Sequence, residues 1–202
     1  MTREQQKKLK LLKQSLPKII QYEIKKYKLK KKDFMVWYNK KDIFFSLLIS
    51  ITEVDGHCYC SSRETIKPLW LDELFWDIMN MSENKSEPLS MRSIGAFTVH
   101  GVDIFEDKKE LVEWKNEELE KYTIDYIAHF NNVVKNTDVA SYYSLLNQSI
   151  YHRNIQEILV LIHECKYQEA LIYLQSMEGD GYFSNEGVSF KEYAEIYCKE
   201  HL

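Results

Sequence analysis

Little in this sequence breaks a chain. Its 202 residues include six Gly and three Pro, too few for a disordered or collagen-like polymer. A long hydrophobic run is also missing. The most apolar stretch, Ile43 to Ile51, is interrupted by two serines and falls well short of the roughly 20 apolar residues of a membrane-spanning helix. The opening residues MTREQQKKLKLLKQ are basic, but no apolar core or small-residue cleavage site of the secretory kind follows them. Cysteine is sparse. Cys58, Cys60, Cys165 and Cys198 contain no Cys-x-x-Cys, and Cys58 and Cys60 stand too close to pair readily. Free thiols in a reducing cytoplasm are the expectation. The sequence also has no G-x-S-x-G, no Walker A and no G-x-G-x-x-G, so neither nucleophilic catalysis nor a phosphate-cradling loop has motif support.

What is present is enough apolar and aromatic residue for one large domain, or a domain with an appendage. The charge is unevenly spread. Residues 1–41 carry fourteen Lys or Arg against Glu4, Glu23 and Asp33, a net of +11, while the remainder carries −15. A basic arm can serve nucleic acid or anionic lipid, but an acidic body repels phosphate, which disfavours the nucleic-acid reading. A basic element lying on its own acidic body explains the split equally well.

Periodicity predicts the elements. Leu9, Leu12, Leu16, Ile20, Ile24 and Tyr27 recur at helical spacing, with Pro17 either kinking that helix or standing in the first turn of one that begins at Ser15. Residues 34–39 and the run DIFFSLLISITE read as strands. In the second, Ile43, Phe45, Leu47, Ile49 and Ile51 share one face. Asp55-Gly56 supplies a two-residue turn into a third strand, HCYCSSRE. WLDELFWDIMNM reads as a short helix. LSMRSIGAFTVHGVDIF reads as a fourth strand, broken near Gly95 or Gly101. Asp107-x-x-Glu110 resembles a cap opening a long helix near Lys108 to Asn136. From Asp138 the pattern is helical only. It closes on the capping box Ser189-x-x-Glu192 after the loop GDGYFSNEG, and KYQEALIYLQ looks like one tetratricopeptide helix without recurrence. The fold class expected is α+β: an antiparallel sheet of about four strands flanked by helices, as a domain over 1–136, with an all-helical extension over 137–202.

Three groups of residues invite chemistry. Glu53, Asp55, His57, Cys58 and Cys60 are metal-ligating types in one hairpin, with His163 and Cys165 as the only further pair, at atypical spacing. Asp103 with Glu113-Trp-Lys115 matches a nuclease string, but Glu113 and Lys115 fall within the expected helix, where residues two apart diverge. The six His, including His100, His129, His152 and His201, are scattered. No cofactor and no catalytic residue is assigned. The third group is acidic: Asp103, Glu106, Asp107, Glu110, Glu113 and Glu117 open a run of nine carboxylates to Asp125 against four lysines. Such a ridge is a solvated face, a counterpart of the basic first helix, or a surface that steers a basic partner.

The stretch KLKKKDFMVWYNKKDIFFSLLIS, followed by Asp72 to Phe97 and the long Trp-containing helix, resembles a bacterial α+β family catalogued as a domain of unknown function, over about residues 5–136. That resemblance implies an α+β fold without a known active site. Some comparable small bacterial domains serve as immunity proteins beside polymorphic toxins. The function expected is therefore non-enzymatic protein binding, with an antitoxin covering a basic toxin through its acidic surface as the leading form. The alternatives are a metal-dependent enzyme centred on the 53–60 hairpin, and a scaffold that holds a peptide in an apolar groove between its C-terminal helices.

Overall fold

The computed structural model describes residues 1–94, 97–147, 153–179 and 183–202. They pack as two compact units, neither continuous in sequence. Met1–Ile66 and Asp103–Ser141 form the first; Lys67–Val102 and Tyr142–Leu202 form the second. Residues 67–102, expected in one domain with the sheet, thus group with the C-terminal helices.

The first unit opens with α1 (Arg3–Tyr27), which runs through Pro17 without a break. Thr2 and Gln5 close a capping box at its start, so the helix begins a dozen residues before Ser15. A sheet follows: β1 (Lys30–Lys32), β2 (Met35–Lys40), β3 (Ile43–Val54), β4 (His57–Pro68) and β5 (Val102–Glu110), in that spatial order. It is antiparallel throughout and one strand larger than the sequence pattern predicts, because the three-residue β1 pairs with β2. The β3–β4 turn has positive φ at both Asp55 (52°) and Gly56 (85°), the conformation that matches strand twist in a two-residue hairpin. After β5 comes α4 (Asn116–Asn136). The β3 residues Phe45, Leu47, Ile49 and Ile51 are buried, and α1 and α4 pack on each other and on this strand. On the alternate face Trp37 stacks on Phe44 with centroids 5.6 Å apart, and the Ser46 and Thr65 hydroxyls are 2.7 Å apart. The Lys40 ammonium donates to the carbonyls of Val134, Lys135 and Thr137, satisfying the open end of α4.

Two boundaries differ from the sequence reading. Residues 91–94 form a short helix, α3 (Met91–Ile94), and the strand begins only at Val102; Gly95, suggested as a break, lies outside the described residues. The strand then runs through Asp107 to Glu110, which therefore cap no helix, and α4 begins eight residues later than Lys108. Cross-strand partners override the weak strand preference of DKKE. Arg63 makes two hydrogen bonds to Asp103 at 2.5 and 2.8 Å, His57 meets Glu110 at 2.7 Å, and Lys108 lies 4.0 Å from the Tyr59 ring centroid.

The second unit contains α2 (Leu69–Ile78), a 3-10 turn over Ser82–Ser86, α3, α5 (Val139–Leu146), α6 (Arg153–His163), α7 (Tyr167–Ser176), the ribbon β6 (Ser184–Asn185) and β7 (Val188–Ser189), and α8 (Phe190–Glu200); the first three residues of α5 belong to the first unit. Ser189 and Glu192 form the expected capping box. His152 and residues 180–182 of the GDGYFSNEG loop lie outside the described residues. α2 packs on α6 and α8, and α7 on α6 and α8, around Phe75, Leu159, Ile162, Leu174 and Phe190. Trp37 and Trp76 are buried. Trp70 is half-buried and lies flat on His163 at 3.9 Å between centroids. A buried ionic cluster ties α2 to the following loops. The Lys67 ammonium donates to Asp72 and to the Val99 carbonyl, the Val99 amide donates to Asp72, and Arg92 reaches Glu73 and the Leu69 carbonyl. Among the described residues, no helix is long and apolar enough to cross a membrane.

Candidate functional site

The hairpin residues do not converge. Alternation along β4 sends Cys58 and Cys60 to the buried face and His57 to the exposed one. Burial pushes the Cys58 thiol up to about 11 and the Cys60 thiol up to about 12, so both are protonated at neutral pH and are neither thiolate nucleophiles nor ready ligands. Glu53 accepts the Gly56 amide at 2.7 Å. His57 is engaged by Glu110, whose hydrogen bond raises the imidazole above its ordinary value. Among the described residues, no group of three or more His, Cys, Asp or Glu is placed to hold a metal ion.

The nuclease string also comes apart, and for a different reason from the one its spacing gave. Glu113 and Lys115 stand in the loop before α4 rather than inside a helix, and they pair with each other. Asp103 pairs with Arg63. The run of β5 from Asp103 to Glu110 alone spans about 23 Å, which separates the two carboxylates.

The six acidic candidates lie along β5 and the entrance to α4. Four have a basic side chain beside them: Asp103 has Arg63, Asp107 has Lys109 at 3.5 Å, Glu110 has His57, and Glu113 has Lys115. Lys115 holds the Glu113 carboxyl below its ordinary value, with Lys8 of α1 contributing from further away. Glu106 and Glu117 are exposed and make no ion pair among the described residues. Further along α4, Glu120 and Asn116 face Lys18, Tyr22 and Glu23 of α1 across a crevice of about 340 Å³. The basic first helix therefore packs along α4, while its ion pairs among the described residues, Lys8 with Glu4 and Lys26 with Glu23, lie within α1 itself.

A larger concavity lies in the second unit. α5, α6 and α7 enclose an open groove of about 730 Å³. Tyr143 and Leu146 of α5 and Val160 and Leu161 of α6 supply its apolar wall. The polar wall is one connected chain of side chains. Arg153 donates through Nε to Glu157 at 2.5 Å and through Nη1 to the Asn147 carbonyl at 3.3 Å. The Tyr173 hydroxyl donates to the other oxygen of Glu157 and lies 3.1 Å from Asn154 Oδ1. Burial, followed by that bond to Glu157, pushes the Tyr173 phenol up to about 12. Glu157 in turn raises Arg153 above its ordinary value. Both carboxylate oxygens are thus occupied, and the groove presents a fixed guanidinium, two carboxamides and apolar side chains.

None of these polar residues was singled out by the sequence. The signals were an Arg153/Glu157 pair at i,i+4 and a Tyr on the following helix, common on any surface. Only the packing of α6 on α7 brings Tyr173 to that pair. Comparison with known proteins is silent: no family model, no curated protein and no solved structure matches this chain.

Proposed function

We propose that this protein is a non-enzymatic binding module that holds a segment of another protein in the groove of α5, α6 and α7. The observation that carries the reading is the groove itself: a preformed, open concavity of about 730 Å³ with one apolar wall and one hydrogen-bonded polar wall. That is the composition of a recognition site, where apolar contact supplies affinity and a few fixed polar groups set register. The test is selection of linear peptides displayed on phage against the immobilised full chain, repeated with Leu161→Glu, which places a charge on the apolar wall. Enriched peptides should lose at least tenfold in affinity for the variant. An absence of enrichment, or equal binding to both proteins, would overturn the reading.

A second contact rests on β5. It is an edge strand, and its exposed Glu106, like the exposed Glu117 at the entrance to α4, makes no ion pair among the described residues. A basic toxin, with this chain as its immunity protein, is the partner such a surface would steer. Replacing Glu106 and Glu117 by Lys should then slow association with a basic partner and weaken its salt dependence. Unchanged association kinetics would remove this contact.

A further inference from the structure

If the groove holds a segment of another protein, as proposed, its polar wall also sets a chemical preference for that segment. Among the described lining residues the ionised acceptor is Glu157, with one oxygen engaged by Arg153 Nε and the other by the Tyr173 hydroxyl. The donors are not all used. Arg153 spends Nε on Glu157 and one Nη1 proton on the Asn147 carbonyl. Nη2 carries two N–H groups with no partner among the described residues. Beside this donor edge lies the apolar wall of Tyr143, Leu146 and Leu161.

We infer that the groove recognises a carboxylate side chain, Asp or Glu, within a segment of a partner protein, with Arg153 as the anchoring donor and an adjacent apolar residue of the segment against Tyr143, Leu146 and Leu161. A guanidinium held at Nε by one carboxylate keeps its Nη2 edge in a fixed plane, which suits a second, planar acceptor. Glu157 and Tyr173 act as positioning residues: they hold the fork and touch no ligand. The groove is open rather than enclosed, so it admits a side chain carried within a longer segment, which is the source assigned here to the carboxylate.

The probes are the peptides enriched on the full chain, resynthesised with amidated C-termini, and the readout is fluorescence anisotropy. The inference predicts an Asp or Glu in the enriched consensus next to an apolar residue. Replacing that acid by its amide should weaken binding to the wild type by about tenfold or more and leave binding to Arg153→Gln nearly unchanged. Arg153→Lys, which keeps the charge and loses the fork, should fall between the two. An unperturbed melting transition shows that the variants fold. A consensus without an acid that is still lost on Leu161→Glu would overturn this inference and leave the groove as a peptide site. Affinity that depends on a free C-terminal carboxylate in place of the internal acid would also overturn it. No enrichment at all would remove the groove reading itself.

Discussion

Glu64 illustrates how single residues in this fold carry their surroundings. It stands on β4 with no exposed surface, and its contact is the ring of His129 on α4 at 2.9 Å. Burial raises its carboxyl above the ordinary 4.5, and the hydrogen bond and charge of His129 oppose that only in part. An acid raised by folding binds its proton more tightly in the native state than in the unfolded chain. Its contribution to stability is therefore most favourable at low pH and is lost as pH rises from about 4.5 through the raised value. Unfolding by urea at a series of pH values should show wild type losing stability relative to Glu64→Gln across that window, with the difference levelling off above it. A pH-independent difference would mean that burial does not govern this carboxyl. The three buried thiols follow the same physics: Cys198, like Cys58, is pushed up to about 11 by desolvation, so the side chains most suggestive of chemistry in the sequence are packing groups.

At the scale of the element, legibility followed the sharpness of the local signal. The unbroken alternation of Ile43 to Ile51 gives β3 directly, and Asp55-Gly56 gives its turn, because half-burial and positive φ each leave a mark on composition. The Ser189/Glu192 box likewise marks the start of α8. It is also easily tested: Ser189→Ala removes the acceptor for the Glu192 amide and should cost about 1 kcal/mol in urea denaturation. A loss near zero would show that α8 is held by Phe190, Ala194 and Cys198 alone. The boundary between β5 and α4 was illegible because its determinants are not local. EDKKE has the composition of a helix surface. It is drawn into a strand by Arg63, His57 and Tyr59 across the ladder. Arg63 lies 40 positions from its partner Asp103, and His57 lies 53 from Glu110. Glu110 and Glu113, expected inside the long helix, therefore stand on β5 and in the loop before α4, and four of the six candidates lie beside a basic side chain.

For the whole molecule, the same distinction separates fold from function. The α+β class follows from pattern, since each element announces its own period. The groove does not, because Tyr143, Arg153, Glu157 and Tyr173 belong to three helices and become a site only when those helices pack. The charge split read as +11 and −15 is likewise reorganised by packing. α1 lies along α4, with Lys18 and Glu120 on one crevice, so the basic helix is docked on the fold rather than a free arm. The central claim is that recognition occurs between α5, α6 and α7. Hydrogen exchange of the full chain, with and without an enriched peptide, tests it most directly. The account predicts that slowed exchange concentrates in residues 143–147, 153–161 and around Tyr173, with β5 unchanged. Protection along residues 102–110 with the groove unaffected, or no protection anywhere at saturating peptide, would contradict it.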